Sequence, residues 1–153
     1  ARAEIQAAVG DVRRLVYDLR PPALDELGLA GALRQEGERL ATSFRSLRLD
    51  VHADDLADLP AAIEVAAYRI SVEAMTNAAR HAGAQTCTVR ITDNGALELE
   101  ITDDGRGLPD DYRAGVGIAS MRERAEELGG TCEIERVDDR GTRVRASLPL
   151  APP

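Results

Sequence analysis

Two short segments hold the residues best suited to chemistry. In VEAMTNAARHAG, Glu73 and Asn77 are four residues apart, and Arg80 and His81 follow three and four residues later. On a helix these spacings place all four on neighbouring positions of one face. An acid, an amide and cations beside an alanine-rich core face are unusual for a purely structural helix. The plain alternative is a solvated face with a Glu–Arg pair, and His81 taken alone reads as a surface or capping residue.

The second segment is ITDDGRGLPDDYRAGVG, residues 101–117. A carboxylate at the end of a strand, followed by Gly105 and Gly107, can accept a hydrogen bond from an exocyclic amino group. The missing side chains let a flat ring lie against the backbone. The acid-rich run also suggests a calcium loop, but its spacing is not that of an EF-hand. Further on, Gly115 and Gly117 precede a predicted helix starting near Ile118. A glycine turn feeding a helix start offers unpaired amides and the positive end of a dipole, which suits a phosphate. Ser120 stands where a dinucleotide fingerprint needs its third glycine, so that motif is not met. One end of the segment therefore suits an amine, the other a phosphate.

These residues need elements to hold them. In residues 1–20, Ile5, Val9, Val12, Val16 and Leu19 alternate at spacings of four and three, the seam of a helix packing against partner helices. A helix of a single globular core can show the same spacing. Pro21 and Pro22 end that helix and mark the expected boundary between residues 1–20 and a domain over 21–153. A helical pattern from Leu27 to about Phe44 has Leu29, Leu33 and Leu40 as core candidates, and LRLDVHA then reads as a short strand. Pro60 precedes a long alanine-rich helix over 61–82, with Ile63, Ala66, Ile70, Ala74 and Ala78 as its buried stripe. TCTVRI and ALELEIT flank Asn94-Gly95 as a hairpin. A helix over 118–128 stops at Gly129 and Gly130. TCEIERV and TRVRASLPL form a second hairpin turning near 138–141. Three helices and five strands after Pro22 predict a two-layer α/β sandwich with a mixed sheet.

Composition narrows the options. The 153 residues are 44% hydrophobic and 30% charged, as in a globular domain, and long enough for a real core. A net charge of −8, with aromatics at 3%, argues against a nucleic-acid partner. Apart from two histidines, every basic residue is arginine. The absence of lysine excludes the P-loop and the eukaryotic-type protein kinase, both of which place a lysine on the phosphates. Cys87 and Cys132 fall in predicted strands and read as small buried hydrophobes in a reducing compartment. No zinc spacing, membrane-length apolar run or signal peptide is found, and the chain opens inside a helical pattern, as a piece of a longer protein would.

The order of the motifs is more telling than any one of them. VEAMTNAARHA resembles the N box, DDGRG the G1 box and GVG the G2 box of the ATP-binding fold shared by gyrase, the heat-shock chaperone and histidine kinases. DRGTRVRASLPL resembles the closing hairpin of that fold. LRPPALDELGLAGAL and GIASMRERAEELGG are similar to the histidine kinases that signal to helix-turn-helix response regulators. The resemblance covers essentially the whole chain.

It implies a GHKL-type catalytic domain binding ATP and Mg²⁺. Asp103 would accept the adenine amine, with Gly105 and Gly107 admitting the ring and Thr142 bonding Asp103 directly or through water. Asn77 would hold Mg²⁺ through its amide oxygen, and Glu73 would orient a metal-bound water or assist as a base. Arg80 and His81 would lie near the phosphates. Gly115, Gly117 and Ile118 would frame a lid whose amides cradle the triphosphate. Residues 1–20 would be the end of a dimerisation and phosphoacceptor hairpin. The implied partners are that hairpin, a second copy of the full-length kinase and a response regulator; the implied location is the cytoplasm, or the cytoplasmic portion of a membrane-bound sensor. The phosphoacceptor motif itself, a His followed by an acid on the first bundle helix, is not in the sequence, and the only Phe is Phe44, so the lid has no phenylalanine box. A serine kinase of the anti-sigma-factor type and a non-catalytic nucleotide-binding or dimerisation module are the alternatives on the same fold.

Overall fold

Pro22 opens a helix as well as closing the segment before it. In the computed structural model, helix α1 spans Pro22–Ser43, with Pro21 as its N-cap. Proline suits this position because its φ is already helical and the missing amide would have had no partner. The helix thus begins five residues before the predicted Leu27, and the apolar spacing is interrupted at Gly28 (φ 72°, ψ 176°), where the chain leaves helical geometry. Glycine adopts that backbone without steric cost. Leu24 of the leading turn joins Leu29, Leu33 and Leu40 in the core, all 3% exposed or less.

The structure describes residues 19–53, 56, 58–80, 83–107, 116–137 and 140–150. Residues 1–18 of the predicted seam helix, His81, Gly115 and part of the last hairpin turn lie outside the described residues; the last two residues of that predicted helix, Leu19 and Arg20, are not helical, and Leu19 is exposed.

After α1 come β1 (Arg48–Ala53), α2 (Ala61–Arg80), β2 (Thr86–Asp93), β3 (Ala96–Asp103), α3 (Val116–Glu127), β4 (Thr131–Arg136) and β5 (Thr142–Pro149). The strands form one sheet in the order β1-β2-β3-β5-β4. β1 pairs with β2 in parallel, and every other pair is antiparallel, so the sheet is mixed as expected. Both predicted hairpins are present. At the first, Gly95 has φ +100° and Asp93 Oδ1 accepts from its amide at 3.4 Å. α3 ends as its two glycines predict: Gly130 N–H donates to Ala125 O at 2.8 Å and Gly129 N–H to Glu126 O at 3.0 Å, with Gly129 at φ +78°. That is a Schellman closure, which satisfies the last carbonyls of the helix.

Strand alternation sorts the two faces of the sheet. Cys87, Val89 and Ile91 on β2, Leu97, Leu99 and Ile101 on β3, and Val144, Ala146 and Leu148 on β5 all point inward and are buried. Against them lies the predicted stripe of α2, with Ile63, Ala66, Ile70, Ala74 and Ala78 buried together with Met75. Small residues on α2 let the helix approach the sheet closely. The outer face carries charges in opposed columns. Arg145 pairs with Glu100 at 3.3 Å and Arg143 with Glu135 at 3.3 Å, while Ser147 Oγ donates to Glu98 at 2.9 Å. Each exposed pair adds little stability, but the row keeps one side of the sheet in water.

The start of the described chain is fastened to α2. Arg20 Nε donates to Asp25 Oδ1 at 2.7 Å, its Nη2 pairs with Glu64, and Arg69 donates to the Leu19 carbonyl at 3.3 Å. Among the described residues no helix is long and apolar enough to cross a membrane.

Ser71 is the odd member of the core: it is fully buried in α2 and its hydroxyl has no hydrogen-bond partner among the described residues. A buried hydroxyl left unpaired is destabilising, and alanine is the better helix former. Ser71→Ala should therefore leave the stability unchanged or raise it by up to about 1 kcal/mol in urea unfolding. A loss of about 1 kcal/mol or more would show that the hydroxyl has a partner after all.

Candidate functional site

The alternation that buries Leu97, Leu99 and Ile101 makes Asp103 the next inward residue, at the point where β3 ends. Its neighbours in register are Cys87 on β2 and Thr142 on β5. Asp103 is only 9% exposed, one of three buried polar residues with Ser71 and Thr142 among those described. Burial pushes its carboxyl above the ordinary aspartate value, and the backbone amides of Gly105 and Thr142 partly offset the rise; the Gly105 bond to Oδ1 is 2.8 Å. A buried carboxyl that keeps acceptor capacity at the edge of a sheet is suited to an amine ligand. Thr142 meets Asp103 through its backbone amide.

Glycines around Asp103 have distinct reasons to be glycine. Gly105 is buried and supplies the amide just described. Gly107 has φ +76°, and a Cβ there would come within 2.9 Å of the Gly141 carbonyl oxygen. Gly141, at φ +101°, has no room for a Cβ against the Asp103 carbonyl. The G1 loop and the β4–β5 turn thus pack backbone to backbone, which gives Gly107 a packing role besides the one expected from sequence. Gly141 was not singled out as a site residue; a glycine immediately before the strand position of Thr142 was the available signal.

On the other side, α2 carries Glu73 and Asn77, both half-buried, with Arg80 exposed in its last turn. The helix that follows β3 begins at Val116, two residues earlier than predicted. Gly117 therefore lies inside the first turn of α3 and not before it. A Cβ on Gly117 would meet the Glu73 carboxyl group, so a side chain there would require the Glu73 side chain to move. The positive end of the helix dipole then faces a carboxylate on α2. Ile118, on the next residue, is buried and anchors α3 in the core.

The structure thus gathers two clusters. Asp103, Gly105, Gly107 and Thr142 meet at the sheet end, and Glu73 meets Gly117 at the α2–α3 contact, with Asn77 one helical turn along α2. His81 and Gly115 are outside the described residues, and Arg80 stands exposed in the last turn of α2. No group of three or more His, Cys, Asp or Glu that could hold a metal occurs among the described residues. A cation here would depend on a hard oxygen such as that of Asn77 plus ligand and water oxygens, which fits the habits of Mg²⁺. A cleft of about 580 Å³ lies at the opposite end of the fold, lined by Gly28, Leu29, Ala53, Leu59 and Glu64, and shares no residue with this site.

The two cysteines behave as expected of buried hydrophobes. Burial, helped by the Asp103 and Asp104 carboxylates, pushes the Cys87 thiol to about 12, and burial pushes Cys132 to about 11. Neither is a nucleophile at neutral pH.

Residues 62–152 match the family of histidine kinase-, DNA gyrase B- and HSP90-like ATPases. The chain belongs to that family. Its similar proteins are sensor histidine kinases: it is 34% identical to the sensor histidine kinase MctS of Rhizobium johnstonii over 95% of this chain and 32% of that protein. It is 39% identical to the signal transduction histidine-protein kinase/phosphatase UhpB of Salmonella typhimurium over 90% of this chain and 28% of that protein. The chain thus spans about a third of the length of these relatives. In three dimensions it is similar to the histidine kinase domain of the Erythrobacter litoralis blue-light activated histidine kinase EL346, with a TM-score of 0.70 and 25% identity over 80% of this chain and 65% of that one. The histidine-kinase expectation is supported over the serine-kinase alternative.

The adjacent carboxyls Asp103 and Asp104 are shifted in opposite senses. For Asp104, burial raises the value, but bonds from the Thr86 and Gln85 amides outweigh it and leave the carboxyl below its ordinary range. Its contribution favours the folded chain above the unfolded-state value and is lost as pH falls through the lowered one. Asp103, being raised, does the reverse: its contribution is complete below the unfolded-state value and is lost as pH rises through the folded one. Carboxyl-detected NMR titration of the ligand-free chain should show Asp104 losing its proton at lower pH than Asp103. The reverse order would contradict the environments described.

Proposed function

We propose that residues 21–153 are the catalytic ATP-binding domain of a two-component sensor histidine kinase, and that residues 1–20 belong to its dimerisation and phosphoacceptor hairpin. The observation that carries the reading is the buried carboxyl of Asp103. It ends an inward-facing row of apolar side chains, held by two backbone amides and bordered by glycines that leave the backbone bare.

In this reading Asp103 accepts a hydrogen bond from the adenine amine, and Gly105 and Gly107 give the ring access to the backbone. Specificity for adenine follows, because a base carrying a carbonyl at that position would set two acceptors against each other. Asn77 offers its amide oxygen to Mg²⁺, which neutralises charge on the phosphates when bound. Glu73, seated against the start of α3, orients a water of that ion or assists as a base. Arg80 and His81 lie toward the phosphates, and the amides from Gly115 through Ile118 receive them. The chain's own contribution to phosphoryl transfer is positioning and charge stabilisation. The acceptor histidine belongs to the dimerisation domain of the full-length homodimer, and the phosphoryl group passes from it to a response regulator. Dependence on ATP puts this domain on the cytoplasmic side of any membrane the full protein meets.

Titration of Mg·ATP into the chain by calorimetry tests the assignment. Asp103→Ala should weaken binding by roughly 1–3 kcal/mol, the worth of a buried hydrogen bond to a charged acceptor. Asn77→Ala should weaken binding in the presence of Mg²⁺ and change little in its absence. Parent-like affinity in both variants would overturn the site.

A further inference from the structure

We propose that Asp104 is a positioning residue that sets the distance between the two ends of the nucleotide site. This rests on the reading of Asp103 as the adenine end and Asn77 as the metal end.

The bonds around Asp104 form a continuous path between those ends. Its Oδ1 accepts from the Gln85 amide at 2.8 Å and from the Thr86 amide at 2.9 Å, and its own amide donates to the Thr86 carbonyl at 3.3 Å. The entrance of β2 is thereby clipped to the residue after Asp103. From there the path returns to α2: the Ala84 amide donates to the carbonyl of Ala78, the residue next to Asn77, at 3.3 Å. Gln85 is held from the far side too, because its carbonyl accepts from the Arg48 amide at 2.7 Å. A third contact closes the clamp. Gly83, at φ +59°, leaves space that the Arg106 guanidinium fills, with Nη2 at 3.3 Å from where a Cβ would be. The segment after β3 is therefore bonded to Gln85 and Thr86 at the entrance of β2, with the Arg106 guanidinium packed beside Gly83.

The consequence is specific. A ligand that touches only Asp103 does not sense where α2 stands, whereas one that spans both ends needs the separation to be right. Misplacement by about an ångström in such a site can reduce function by orders of magnitude. The lowered carboxyl of Asp104 agrees with a group whose charged form is used by these bonds.

Both amide bonds converge on one oxygen, which makes the conservative variant informative. Asparagine can present its amide oxygen where Oδ1 stands, and alanine cannot. The test compares Mg·ATP with adenosine as probes, by calorimetry for the first and NMR titration for the second, well below the melting temperature of each variant. Asp104→Ala should weaken Mg·ATP at least about 5-fold, in line with the loss of two hydrogen bonds to a charged acceptor, and adenosine by less than about 2-fold. Asp104→Asn should restore Mg·ATP to within about 2-fold of the parent. In an Asn77→Ala background, Asp104→Ala should lose most of its effect, as coupled positions do in a double-mutant cycle.

A merely structural role predicts a lower melting temperature with unchanged Mg·ATP affinity, and that result overturns the proposal. Equal weakening of adenosine and Mg·ATP does so too, since Asp104 would then act on Asp103 alone. Failure of the underlying reading is distinguishable: there Asp103→Ala itself would bind Mg·ATP like the parent. Loss of binding in Asp103→Ala with none in Asp104→Ala removes this inference and leaves the site intact.

Discussion

A carboxylate that the sheet turns inward is the constraint on which the rest depends. Four inward positions of β3 alternate along Leu97, Leu99, Ile101 and Asp103, and only the last is polar. Because the side-chain period of a strand is two, the register that buries the three apolar residues leaves no choice about the fourth. Burying a charge is costly unless it is hydrogen-bonded, and the chain answers with the amides of Gly105 and Thr142. Both donors require close backbone packing, so Gly107 and Gly141 must be bare where the G1 loop meets the final hairpin. Stability spent there is typical of functional positions, where local rules are broken and supported from elsewhere.

The helical layer meets that constraint from above. α2 is lined with alanines on its sheet-facing side, which brings its backbone close to the strands, and its other positions carry Glu73 and Asn77 near the end of the sheet. The start of α3 lies against it, with the Glu73 carboxyl beside Gly117. The candidate site therefore lies where backbones pack closely, and a change of one methyl group at Gly141 would be felt there. The opposite end of α2 is tied by Glu64 to Arg20, and by Arg69 to Leu19, so the same helix receives the start of the described chain.

Much of this was legible in the residues. Hydrophobic periodicity located each strand and the buried stripe of α2, and Asn94-Gly95 and Gly129-Gly130 marked their turn and helix stop. The start of α1 was missed because Pro22 was read as a terminator, although proline closes one helix and opens another equally well. Gly117 was placed before α3 for a related reason: a glycine in a first helical turn looks like a loop until the Glu73 carboxyl packed beside it is seen. The alternation through Leu97, Leu99 and Ile101 already pointed Asp103 inward, but nothing in DDGRG shows that Asp104 turns toward Gln85 and Thr86. Contacts between residues distant in sequence leave no periodic trace, and the roles of Asp104 and Gly141 are of that kind.

The most direct measurement of the central claim is a crystal structure of this chain with Mg²⁺ and a non-hydrolysable ATP analogue. The account predicts the exocyclic amine of adenine about 3 Å from an Asp103 carboxylate oxygen, the metal on Asn77 and the phosphates toward the start of α3. Nucleotide bound instead in the cleft by Leu29 and Glu64, or adenine turned away from Asp103, would contradict it.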